Sequence, residues 1–81
     1  MESAAGETTA RVAHIITEVL GTDGAPLTEN FYDLGGSSLQ AIRICTRISR
    51  ELALKAAPED LFEHDTIGDF CTALIRAQSR E

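Results

Sequence analysis

Three stretches of this chain repeat apolar residues with the period of an α-helix, and no stretch alternates apolar and polar residues as a strand would. The first runs through Val12, Ile15, Ile16, Val19 and Leu20, at i, i+3, i+4, i+7 and i+8. The second holds Ala41, Ile44, Cys45, Ile48 and Leu52, and the third Ile67, Phe70, Cys71, Leu74 and Ile75. Each stripe is one face of an amphipathic helix, and such faces leave water only by packing on one another. Punctuation residues bound the helices. Glu7 precedes the first, and Gly21 follows it where a left-handed residue is favoured. The spacing therefore predicts helices over 8–20, over 38 to about 54, and from Thr66 onward. Thr66 and Asp69 have the spacing of a capping box. Pro58, Glu59 and Asp60 suit the first turn of a short helix through His64, anchored by Leu61 and Phe62. The predicted fold is all-α: a four-helix bundle of three long helices and one short one, with a long loop between the first and second. Residues 1–7 are predicted to be a disordered tail, 8–77 the folded domain, and 78–81 a frayed end.

An 81-residue chain is one small domain whose core is thin, because a domain near this size buries only about 60% of its unfolded surface. Hydrophobic residues make up 43% of it, enough for a compact fold. Cys45 and Cys71 form no C-x-x-C pair and both fall on predicted apolar faces, so they are read as reduced structural thiols. No window approaches the ~20 apolar residues of a membrane span, and the N-terminus lacks the basic and apolar regions of a signal peptide. The expected location is the cytoplasm. A net charge of −6 argues against a nucleic-acid partner, and nothing points to a membrane one.

The loop over 21–36 carries Gly24, Pro26, Asn30, Gly35 and Gly36, yet also Leu27, Phe31, Tyr32 and Leu34. It is too apolar for a free linker. We expect it to be pinned to the core with Leu27, Phe31 and Leu34 inward; a long ordered loop in so small a domain points to function. It ends in Asp33-Leu34-Gly35-Gly36-Ser37-Ser38-Leu39. Ser37 and Gln40 match a capping box, which makes Ser37 the N-cap and Ser38 the first helical residue, its hydroxyl outward. The two glycines remove bulk beside it. The first turn of a helix leaves N–H groups unpaired and partly positive, a setting that suits a phosphodiester. On physics alone, Gly-Gly-Ser-Ser before a helix is also an ordinary turn and cap.

The segment Asn30 to Leu39 resembles the attachment motif D-x-G-G-x-S-L, with its flanks, of peptidyl carrier proteins in nonribosomal peptide synthesis. Leu61-Phe62-Glu63-His64-Asp65-Thr66-Ile67 is similar to that family's downstream L-F-E-H-P-T-I segment. The resemblance spans roughly Val12 to Leu74. Ser37 stands where the family more often has Asp, His or Asn, and Asp65 replaces its proline, a change expected to soften the last helix boundary. The resemblance implies an acyl-carrier-type bundle that is not an enzyme. It implies a 4′-phosphopantetheine arm on Ser38, with Gly36, Ser37 and Leu39 around it, donated by coenzyme A through a phosphopantetheinyl transferase. An adenylation enzyme would load an amino or aryl acid as a thioester, and tailoring or condensation enzymes would take it onward. A chain running from Met1 to just past the last helix suggests a free-standing carrier, although an excised domain with an added start codon would look similar; a monomer is expected.

Acyl carriers of polyketide and fatty-acid synthesis are the nearer alternative, but they usually show D-S-L at the serine and an acidic second helix. Here the second helix carries Arg43, Arg47 and Arg50 against Glu51. A non-covalent helical interaction module is the further alternative. Leu39 and Ile42 lie beside Ser38 but off the buried stripe, and with Arg43 they are the candidate docking residues for partners. A Ser38–His64–Asp65 catalytic set is conceivable from composition, but no pattern signals a base in reach or an oxyanion site.

Overall fold

Each apolar stripe becomes the inner face of a helix. The computed structural model describes residues 4–22, 24 and 27–79. Among them are four helices and no strand: α1 (Ala4–Leu20), α2 (Ser38–Leu52), α3 (Pro58–Glu63) and α4 (Ile67–Ser79). α1 packs against α2 and α4, and α3 closes the bundle against α2 and α4. Val12, Ile15 and Ile16 of α1, Ala41, Ile44, Cys45 and Ile48 of α2, Leu61 of α3, and Ile67, Phe70, Cys71 and Leu74 of α4 form one core with Phe31 and Leu54. Both cysteines are buried and unpaired. No described helix is long and apolar enough to cross a membrane.

Both ends are more helical than the sequence predicts. α1 begins at Ala4, so residues 4–7 belong to the helix, with Glu7 in its first turn. Ala4 and Ala5 favour the extension, although it includes Gly6; residues 1–3 lie outside the described residues, and so does Pro26. α4 likewise continues through Ser79.

The helix ends follow local chemistry. Gly21 takes φ 71°, and its N–H donates to the Thr17 carbonyl at 2.9 Å, closing α1. α2 stops at Leu52, two residues short of the expected end. There Ala53 turns left-handed, at φ 57° and ψ 34°, with its N–H on the Ser49 carbonyl. Continued helix would carry residue 54 to the outer face; the turn instead sends Leu54 into the core, where it is 5% exposed. Asp60 Oδ2 accepts the Ala57 N–H at 3.2 Å to cap α3, which ends at Glu63 with His64 already extended. Among the described residues the His64 ring makes no hydrogen bond to helix carbonyls. Thr66 Oγ1 accepts the Asp69 N–H at 3.1 Å to cap α4. Arg47 of α2 reaches across to Glu18 of α1 at 2.9 Å and also pairs with Glu51, one turn on in α2, at 2.8 Å.

Candidate functional site

The loop between α1 and α2 is tied to the start of α4 through its residues 27–30. The carbonyls of Leu27 and Glu29 accept the N–H groups of Gly68 and Ile67 at 2.8 and 2.9 Å. These bonds satisfy donors that the first turn of α4 would otherwise leave unpaired. Asn30 joins the two sides: its Nδ2 donates to the Asp65 carbonyl at 2.8 Å, and its Oδ1 accepts the Tyr32 N–H at 2.7 Å. Where Asp65 stands in place of a proline, Asn30 and the Thr66 cap hold the boundary of α4 by hydrogen bonds instead. Apolar periodicity carries no information about a polar loop residue such as Asn30. An asparagine two residues before a tight turn was the available signal.

Leu27 is 42% exposed, not inward. Its carbonyl, rather than its side chain, makes the attachment. Phe31 does go inward, to 1% exposure. Its ring meets the Phe62 ring edge-on at a centroid distance of 6.0 Å. Tyr32 stacks on Phe62 at 5.2 Å and stays exposed. These aromatic contacts tie the loop to α3.

The two glycines have different causes. Gly35 sits at φ 90° with open space around it, a backbone conformation that side chains disfavour. A Cβ on Gly36 would lie 2.4 Å from the Phe31 ring, so Gly36 is needed where the loop crosses that ring.

Past the glycines the chain enters α2 as the capping argument predicts. Ser37 is the N-cap, extended at φ −134° and ψ 171°. Its Oγ accepts the Gln40 N–H at 3.4 Å and donates to Gln40 Oε1 at 3.3 Å. The Gln40 side chain thus turns to the Ser37 hydroxyl rather than to its backbone N–H. Ser37 is occupied by this pair of bonds. Ser38 is the first residue of α2, is exposed, and its hydroxyl makes no bond to the described residues. Leu39 and Ile42 stand beside it at 59% and 50% exposure, and Arg43 is exposed one turn on. The site is a free primary hydroxyl on the positive end of a helix, bordered by two exposed apolar side chains. That donor set fits a phosphodiester-linked group: the oxygen is accessible, and the partly positive first turn of α2 would favour its negative charge.

Elsewhere the chemistry is quiet. The Cys45 thiol is pushed up from 9.0 to about 11 by burial, then by the charges of Asp60 and Glu59. Burial alone pushes Cys71 to about 11. Neither is a ready nucleophile at neutral pH. Hydrogen bonds to Arg47 hold the Glu51 carboxyl below its usual range.

The family described as "Phosphopantetheine attachment site" matches residues 10–74, most of the chain and all of this site. The chain belongs to that family. Its group is covalently attached 4′-phosphopantetheine. Among solved structures, this carrier is similar to BlmI, a type-II acyl-carrier-protein from Streptomyces verticillus involved in bleomycin biosynthesis. The TM-score is 0.83 at 26% identity, over 91% of this chain and 89% of that one. It is similar, at a TM-score of 0.78 and 25% identity, to a chain in the complex of the phosphopantetheine transferase Sfp with coenzyme A and a peptidyl carrier protein. That match covers 94% of this chain and 95% of the other. Curated relatives are nonribosomal peptide synthetases, including kk1B of Curvularia clavata, 35% identical over 91% of this chain. The carrier spans about 1% of that synthetase's length.

Proposed function

We propose that this carrier holds an amino or aryl acid on a 4′-phosphopantetheine arm attached to Ser38 and presents it to the enzymes of nonribosomal peptide or related natural-product synthesis. The arm supplies a terminal thiol on which the acid is held as a thioester. The observation that carries the reading is the pairing of the two hydroxyls: Ser37 is engaged with Gln40, whereas Ser38 is exposed and free. The chain's own residues do no bond chemistry. Phe31, Gly36 and Asn30 fix the loop, Ser37 starts the helix, and the first turn of α2 holds Ser38 outward, where its unpaired N–H groups would favour the negative charge of an attached phosphodiester. Leu39, Ile42 and Arg43 form the surface that a phosphopantetheinyl transferase, an adenylation enzyme, and tailoring or condensation enzymes must cover to reach the arm. Tethering raises the effective concentration of the cargo at those enzymes. The setting is the cytoplasm, where coenzyme A is at hand.

The test is intact mass spectrometry after incubation with coenzyme A, Mg²⁺ and a broad-specificity phosphopantetheinyl transferase. The wild-type protein gains one phosphopantetheinyl group. Ser38→Ala keeps its helical circular dichroism and gains none. Ser37→Ala loses the N-cap, at a cost of about 0.5–2 kcal/mol, and is still modified. Peptide mapping that places the group on Ser37 would overturn the assignment. A panel of adenylation enzymes and acids then separates aminoacyl loading from the acyl chemistry of polyketide and fatty-acid carriers.

A further inference from the structure

The charge of this chain is unevenly placed. Outside α2 it carries four cationic residues against twelve acids; within α2 it carries three arginines against Glu51. Glu51 and Glu18 are both taken up by Arg47 on the side of α2 that faces α1. Arg43 and Arg50 are exposed and, among the described residues, have no ion pair. At about 100° per residue, Leu39, Arg43, Thr46 and Arg50 fall within about 60° of one another on the outermost face of α2. The buried residues Ala41, Ile44 and Ile48 point the other way. Ile42 lies at the edge of this stripe, where α2 borders a groove of about 350 Å³ that also touches Arg50, Ala56 and Pro58. The stripe is thus apolar beside Ser38 and cationic one to three turns further on. Glu59, Asp60 and Glu63 of α3 keep the α3 side of the domain negative.

We propose that the enzyme which loads this carrier docks on the outer stripe of α2 through an acidic surface, with carboxylates facing Arg43 and Arg50 and an apolar patch over Leu39 and Ile42. The inference rests on the carrier reading and goes beyond it by fixing the chemistry of the partner. Complementary charge is the argument. Two unpaired guanidiniums on this face, Arg43 near Ser38 and Arg50 further along α2, repel a basic partner and attract an acidic one. The negative α3 side penalises an acidic surface that strays across the groove, so the same charges also set the docking orientation. Arg50, about 18 Å along the helix from Ser38, lies beyond direct reach of the arm's phosphate, which leaves a protein surface as its partner.

The test uses the phosphopantetheinylated protein and, from a panel of adenylation enzymes, the one that loads it. The loading kcat/KM is measured from low to high NaCl for wild type, Arg43→Glu/Arg50→Glu, Arg43→Gln/Arg50→Gln and, as a control, Arg11→Glu on α1. Melting curves confirm folding; the glutamine pair carries the test if the glutamate pair does not fold. The wild-type value falls as salt shortens the Debye length from about 10 Å at 0.1 M to about 3 Å at 1 M. At low salt the glutamate pair loses about tenfold, through KM, with its salt dependence flattened or reversed. The glutamine pair falls between, and Arg11→Glu matches wild type. Wild-type loading that does not fall with salt, or reversal variants loaded as well as wild type, would overturn the acidic-partner proposal while leaving the carrier reading intact. So would an equal loss in Arg11→Glu, which would mean that only net charge matters. A protein that gains no phosphopantetheinyl group, or that no enzyme of the panel loads, overturns the aminoacyl-carrier reading and the proposal with it.

Discussion

Replacing Gly36 by alanine places a methyl carbon 2.4 Å from Cε2 and Cζ of Phe31 and 2.6 Å from its Cδ2. Ordinary contact begins at 3.4 Å, so ring or loop must yield by 1.0 Å. Neither has room. The ring is 1% exposed and lies against Phe62, and the Gly36 N–H is bonded to the Phe31 carbonyl at 3.0 Å, so the two residues cannot separate without breaking the turn. Overpacking of this kind costs about 1–3 kcal/mol. In a domain of this size each kcal/mol lowers the melting temperature by about 4–8 °C, so Gly36→Ala should melt about 5–20 °C lower. The clash is with one ring, which a double-mutant cycle detects. In a Phe31→Leu background the same substitution should cost less, with a coupling of about 0.5–2 kcal/mol by urea denaturation. Because Gly36 precedes the N-cap, Gly36→Ala should also slow phosphopantetheinyl transfer to Ser38. An unchanged melting temperature, or an equal cost in both backgrounds, would refute the account of Gly36 as the residue that lets the loop cross Phe31.

Ile42 and Ile44 separate surface from core. Ile44→Ala should cost about 2–5 kcal/mol, because its side chain is fully buried. Ile42→Ala should leave the melting temperature nearly unchanged and weaken partner affinity about five- to thirty-fold, read as slower loading at limiting carrier. A large stability loss for Ile42→Ala with normal loading would remove Ile42 from the docking surface. The cysteines give a pH dependence. Folding holds both thiols protonated up to about 11, whereas in the unfolded chain they ionise from about pH 8.5, so above that pH the unfolded state binds fewer protons. Their contribution to stability is complete below about pH 8.5 and lost as pH rises toward 11. Urea midpoints should fall over that window, and more steeply than in Cys45→Ala/Cys71→Ala; equal slopes would show that the thiols are not protected.

The helices were legible because their cause is local. A period near 3.6 in the apolar residues, with Ser37, Pro58 and Thr66 at the starts and Gly21 at one end, fixes where helix is favourable and which face is buried. The same phase put Ser38, Leu39 and Ile42 outside, and the motif around Ser38 singled that serine out as the candidate for attachment. The stripe of Arg43 and Arg50 was equally available from the phase. That the two arginines are unpaired was not, because it depends on Arg47 drawing in Glu18 from another helix. The loop was legible only in outline. Alternation of polar and apolar residues cannot say that Leu27 offers its carbonyl to Gly68 and leaves its side chain in water, that Asn30 reaches Asp65 across 35 residues, or that Gly36 is small because an aromatic ring lies under it. Nor could it say that α2 would stop at Leu52 so that Leu54 could be buried. Local sequence sets backbone preference and the sign of each helix face. Which distant groups fill the remaining hydrogen bonds and spaces is settled only when the elements pack, because those energies belong to pairs of residues and not to either residue alone.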